Sequence, residues 1–219
     1  MTILLASNSP RRRELMALGN WRFDILVTDV DESQRLGESP ADYVLRLAED
    51  KARAAVPRAQ PQNVIVAADT TVVDGNVLLG KPRDAAEAAQ MLKRLRGRTH
   101  QVYTGLAVFR MSTGQLLKDL CITDVPMRDY SDADIDRYVL SGDPLDKAGA
   151  YAIQHAEFHP VAGMSGCFAS VMGLPLCHLL RLFEKIGLAQ EDGLPSRCQT
   201  YLNYPCPVSK AILRGEQVG

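Results

Sequence analysis

Val64-Ile65-Val66-Ala67-Ala68 is the strongest apolar run in the chain, and it leads directly into Asp69. Such a run reads as a strand buried on both faces, inside a sheet covered by helices. Thr70-Thr71-Val72-Val73 continues it, and Asp74-Gly75 supplies a tight hairpin turn with Val77-Leu78-Leu79 returning antiparallel. An acid within this run is costly unless it is paired, hydrogen-bonded or metal-bound. Asp69 is therefore the carboxylate that most demands an explanation. The plainer alternative is an Asp that caps a neighbouring turn.

A second irregularity lies near the N-terminus. Residues 2–6 read as a buried strand, then Ser9 and Pro10 supply an N-cap and a first helical residue. Arg11, Arg12 and Arg13 crowd the first turn, where the helix dipole already presents positive charge. Each cation there costs about 0.3–1 kcal/mol unless something compensates. A bound polyanion is the simplest compensation, since backbone N–H groups, dipole and guanidinium forks all favour phosphate. A solvated basic helix end paired with Glu14 is the alternative.

The remaining pattern alternates strands and helices. Trp21 to Val30 reads as a second strand ending in the acidic Asp29-Val30-Asp31-Glu32. Ser39-Pro40-Ala41-Asp42 opens a helix whose apolar seam (Val44, Leu47, Ala48) ends at Lys51, a lysine that either pairs with a carboxylate or points into an anionic site. Asp84 with Glu87 opens another helix, and residues 100–111 and 116–127 read as a long antiparallel pair. Ser131 with Asp134 starts a further capped helix, and Pro175 precedes an apolar helix at 176–186 on which His178 reads as a core or surface histidine. The stretch Lys147-Ala148-Gly149-Ala150-Tyr151 suggests close backbone approach. The sum is an α/β chain with a mixed sheet.

Composition narrows the function. The 219 residues carry a net charge of −1, which argues against a general binder of nucleic-acid polymers or membrane surfaces. No uncharged apolar run is long enough for a membrane span, and no secretory signal is expected. Five scattered cysteines without a CxxC pair fit a reducing, cytoplasmic setting. There is no GxGxxG after the first strand, no GxxxxGK[ST], no HExxH and no GxSxG. What remains is a set of cations (Arg11, Arg12, Lys51, Lys81, Lys147) with two acids, Glu32 and Asp69, at element ends and short loops. That is the arithmetic of a polyphosphate plus a divalent metal, with Mg²⁺ or Mn²⁺ held by the acids.

Seven blocks of the sequence sharpen this. Ser7-Asn8-Ser9-Pro10-Arg11-Arg12, Val30-Asp31-Glu32, Ala68-Asp69-Thr70, Gly80-Lys81-Pro82, His100-Gln101-Val102-Tyr103-Thr104-Gly105, Asp146-Lys147-Ala148-Gly149-Ala150-Tyr151 and Gly173-Leu174-Pro175-Leu176 stand in the order found in the Maf family. The resemblance covers residues 2–187. It implies a nucleoside triphosphate pyrophosphatase that releases a nucleoside monophosphate and pyrophosphate. It also implies a two-lobed fold related to the inosine triphosphate pyrophosphatases, with an elongated mixed sheet flanked by helices, and usually a homodimer. Residues 1–187 then form the pyrophosphatase domain, and 188–219 a C-terminal extension expected to be a partly ordered tail.

By the same resemblance Asp69 is the catalytic residue, with three roles open to it: general base, metal ligand beside Glu32, or both. Arg12, Lys51 and Lys81 bind the triphosphate. The branch acting on UTP and dTTP has Arg directly after Ser-Pro, Thr after the catalytic Asp and Gln after Ala-Ile, matched here by Arg11, Thr70 and Gln154. Its substrates are the expectation, with modified pyrimidine triphosphates beside them. The alternatives are 7-methyl-GTP or other modified nucleotides, and a nucleotide-binding regulator of cell division. This chain departs from the family at His155, where Gly is common, and at Asn8, where Ser or Gly is usual.

Overall fold

The computed structural model describes residues 2–188 and 192–219. In chain order the elements are β1 (Ile3–Leu5), α1 (Pro10–Ala17), β2 (Phe23–Ile25), α2 (Pro40–Ala55), β3 (Val64–Asp74), β4 (Val77–Leu79), α3 (Ala85–Leu95), β5 (Thr99–Arg110), β6 (Gln115–Pro126), α4 (Asp132–Leu140), α5 (Phe168–Val171), α6 (Leu176–Lys185), α7 (Leu194–Leu202) and α8 (Ser209–Leu213). The strands form one mixed sheet in the order β2-β1-β3-β5-β6, with β4 paired to the end of β3. β1 runs parallel to β2 and β3, whereas β3–β5 and β5–β6 are antiparallel. The α/β class with a mixed sheet flanked by helices is thus the observed architecture.

β3 is buried along nearly its whole length because both its faces are covered. Val64, Val66, Ala68 and Val72 enter the main core with Leu92, Leu106 and Phe183. Ile65 and Ala67 face the other way, onto Ala48, Ala52 and Ala55 of α2. Side chains alternate along a strand, so Asp69 emerges on the α2 face and Thr70 on the main-core face. That division sets the roles of both residues.

α2 lies unusually close to the sheet, and Gly105 is the reason. Gly105 pairs with Asp69 in the β3–β5 register. A Cβ at position 105 would stand 2.5 Å from the Val44 carbonyl oxygen. Only a residue without a side chain lets the α2 backbone settle there. The small Ala48, Ala52 and Ala55 continue the close contact, while Val44 and Leu47 are fully buried, each side chain contributing about 1.5–3 kcal/mol. Lys51, two turns beyond Val44, is thereby lowered onto Asp69.

Two local expectations change. The strand expected over residues 21–30 contracts to Phe23–Ile25, because its partner β1 has three residues and β2 is an edge strand. Ile25 and Val27 stay exposed, so the apolar alternation there buries no second face. The segment expected as a partly ordered tail contains α7 and α8, packed through Leu194, Cys198 and Ile212. Its periodicity is weak because so few of its side chains point inward. His178 is fully buried, as a core histidine. No helix among the described residues is long and apolar enough to cross a membrane.

Candidate active site

A cleft of about 810 Å³ opens where β1 ends and α1 begins, within the range of nucleotide-sized sites. Ser9 caps α1, its Oγ accepting from the Arg12 backbone N–H at 3.4 Å, and no acid occupies the first turn. The structure separates the three arginines. Arg13 donates from Nη2 to Asn8 Oδ1 at 2.7 Å, in an exposed contact. Arg12 turns inward and donates from Nε to the Gly173 carbonyl (2.8 Å), from Nη2 to Thr70 Oγ1 (3.2 Å) and from Nη1 to Ser7 Oγ (3.4 Å). Burial lowers the pKa of its guanidinium, and the charge of Asp69 works against that. Arg11 lines the cleft, and its side chain makes no hydrogen bond among the described residues.

Gly173 presents its carbonyl at φ +106°, and a Cβ there would come within 3.1 Å of Arg12 Nε. The glycine of the Gly-Leu-Pro block is therefore a seat for Arg12. Thr70 continues the same set of contacts. Its Oγ1 lies 2.9 Å from Thr104 Oγ1 across the β3–β5 pair, and Thr104 donates to the Ser170 carbonyl at 2.9 Å.

On the opposite face of β3, Lys51 bridges the two acids. Its Nζ lies 2.6 Å from Asp69 Oδ1 and 2.7 Å from Glu32 Oε1. Tyr43, one residue before the Val44 contact, donates its hydroxyl to the Glu32 carbonyl at 2.9 Å and fixes the loop that carries Glu32. Burial raises the Asp69 carboxyl above its ordinary value, over the opposing charges of Lys51 and Arg12. Burial also pushes Glu32 upward, but the hydrogen bond and charge of Lys51 outweigh it and hold this carboxyl below its ordinary value. Two neighbouring carboxyls driven in opposite directions are the usual basis for dividing acid–base from purely electrostatic work.

The other candidates line the same cleft. Lys81 is exposed on its rim and acts on Glu32 through space. Gln154 lines the cleft and is exposed. Lys147 is buried and engaged within its own loop, donating to Asp143 Oδ1 at 3.0 Å and Asp146 Oδ1 at 2.6 Å. The close approach suggested by its small neighbours is to β3, since a Cβ on Gly149 (φ +69°) would meet Val72 at 2.8 Å. His155, the departure beside Gln154, accepts at Nδ1 from the Phe158 backbone N–H (3.0 Å) and packs on Tyr138.

Ser7, Tyr43 and Thr104 were not singled out by the sequence as site residues. Ser7 and Thr104 stand inside blocks that were, so position within those blocks was the available signal. Among the described residues no group of three or more His, Cys, Asp and Glu side chains is arranged to hold a metal. Glu32 and Asp69, which share Lys51, would offer the oxygen donors that a hard cation such as Mg²⁺ or Mn²⁺ takes, one or two carboxylates with the shell completed by phosphate oxygens and water.

The chain resembles known proteins along most of its length. A family model described as Maf-like protein matches residues 2–186. A dTTP/UTP pyrophosphatase of Myxococcus xanthus is 48% identical over 187 residues, covering 85% of this chain and 93% of that protein. A dTTP/UTP pyrophosphatase of Escherichia coli O157:H7 is 43% identical over 190 residues, covering 87% and 95%. Among solved structures, a nucleoside-triphosphatase / dITP/XTP pyrophosphatase from Mycobacterium abscessus matches 85% of this chain and 94% of its own, at 15% identity and a TM-score of 0.41.

Proposed function

The chain belongs to the Maf family, and we propose on that premise that it is a nucleoside triphosphate pyrophosphatase hydrolysing dTTP and UTP to the nucleoside monophosphate and pyrophosphate. The observation that carries the reading is the convergence of Asp69, Lys51, Glu32 and Arg12 at the N-terminal end of α1, in a nucleotide-sized cleft. The triphosphate lies against the α1 N-terminus, where N–H groups and dipole favour anions. Arg12, Lys81 and Lys51 balance its charge and stabilise the departing pyrophosphate. Arg11, Thr70 and Gln154 make the base and sugar selection, Gln154 offering both a donor and an acceptor to a pyrimidine edge.

Asp69 takes the proton from the water that attacks the α-phosphorus. The bond from that phosphorus to the bridging oxygen breaks, and pyrophosphate leaves with the electron pair. A carboxyl whose pKa is raised by burial is a stronger base than an ordinary aspartate. Lys51 engages Oδ1, and no described hydrogen-bond donor engages Oδ2. Mg²⁺ or Mn²⁺ held by Glu32 and Asp69 would supply neutralisation of charge on the phosphate oxygens.

Asp69→Asn is the first test. The expected outcome is a loss of dTTP hydrolysis of at least about 10²-fold with nucleotide binding retained, the scale of removing a general base. Hydrolysis at the wild-type rate removes Asp69 from the mechanism. A panel of triphosphates read by pyrophosphate release tests the substrate: dTTP and UTP are cleaved fastest, and a marked preference for 7-methyl-GTP overturns the assignment.

A further inference from the structure

The C-terminal segment lies beyond the family-matched residues, and it touches both elements that hold Arg12. On α1, Tyr201 donates its hydroxyl to Glu14 Oε2 at 3.0 Å in an exposed contact, and just past the helix end Arg197 donates from Nε to the Leu18 carbonyl at 2.7 Å. On the approach to α5, the Tyr204 hydroxyl stands 3.1 Å from the Met164 carbonyl and 3.0 Å from the Gly166 carbonyl. The Tyr204 ring packs on Phe168, the first residue of α5, at 5.4 Å between centroids.

The other end of α5 is the seat of the phosphate-binding arginine. Ser170 and Gly173 present the carbonyls that take Thr104 and Arg12. α5 is only four residues long, so a displacement at its start is carried to Gly173 through little more than one helical turn. The segment is itself anchored from below. Arg181 of α6 donates to the Glu216 carbonyl at 3.1 Å, and His178 donates from Nε2 to the Val218 carbonyl at 3.2 Å while its Nδ1 faces Asp119 Oδ2 at 3.1 Å.

We propose that Tyr201 and Tyr204 are positioning residues for Arg12, the C-terminal segment forming a brace between α1 and the start of α5. The inference rests on the pyrophosphatase reading only in treating Arg12 as a polyphosphate ligand. The brace holds the base of Arg12 through α1 and its guanidinium through the Gly173 carbonyl. Phosphate affinity in this chain therefore depends on two tyrosines that line no part of the cleft.

Calorimetric binding of inorganic tripolyphosphate tests this without requiring turnover. Tyr204→Phe keeps the ring on Phe168 and removes only the hydroxyl. It is expected to weaken tripolyphosphate binding about threefold, the scale of one lost hydrogen bond, with Tyr201→Phe similar. In an Arg12→Ala background the same substitutions change affinity by no more than experimental error, because the coupling runs through the arginine. Equal effects with and without Arg12, or wild-type affinity in both tyrosine variants, overturn the proposal. Tripolyphosphate binding that follows this pattern in a protein that cleaves no nucleoside triphosphate sinks the pyrophosphatase reading and leaves the brace standing.

Discussion

The protonation of Asp69 bears on both the stability and the rate of this enzyme. Burial raises its pKa above the ordinary 3.8, so the folded chain binds this proton more tightly than the unfolded chain. The contribution of this group to stability therefore falls as pH rises from the unfolded value through the folded one. Asp69→Asn is permanently neutral there and is expected to melt at or above the wild-type temperature at pH 7.5. A clearly lower Tm in thermal denaturation contradicts the assigned sign. The second prediction concerns rate. Because Lys51 lowers the Asp69 pKa, Lys51→Met moves the acid limb of the kcat/KM profile for dTTP to higher pH, as well as lowering its plateau. An unmoved limb places the titrating group elsewhere. Asp69 could be picked out from sequence because a charge inside a buried run has few inexpensive explanations. Thr104 could not, because its role follows from the register that sets it opposite Thr70.

Between elements, the decisive contact is α2 on the sheet at Gly105. It explains why a glycine stands in the middle of a twelve-residue strand, where it otherwise weakens pairing. Gly105→Ala forces a methyl group against the Val44 carbonyl. Overpacking of this kind costs about 1–3 kcal/mol. The expected Tm decrease is about 2–10 °C for a chain of this size. Activity falls as well, since Lys51 moves with the helix, and an unchanged Tm and rate contradict the contact. Strand and helix boundaries were mostly legible through caps and alternation, as at Ser39, Asp84 and Ser131, each of which accepts from the N–H three residues on. α7 and α8 were not, because Pro195, Pro205 and Pro207 punctuate a segment that buries few side chains completely.

For the whole molecule, one sheet serves two purposes. Its α2 face brings the acids and Lys51 together, and its other face, through Thr70, Thr104 and α5, orients Arg12. The sequence displayed the members of this site as blocks in order, but their division between the two faces of β3 required three-dimensional pairing. The claim that unites both faces is that water attacks the α-phosphorus while the pyrophosphate departs from the α1 end. Hydrolysis of dTTP in ¹⁸O-labelled water, followed by mass spectrometry of the products, tests it most directly. Attack at the α-phosphorus puts one labelled oxygen in dTMP and none in pyrophosphate; label in the pyrophosphate, or orthophosphate as the first product, contradicts that attack.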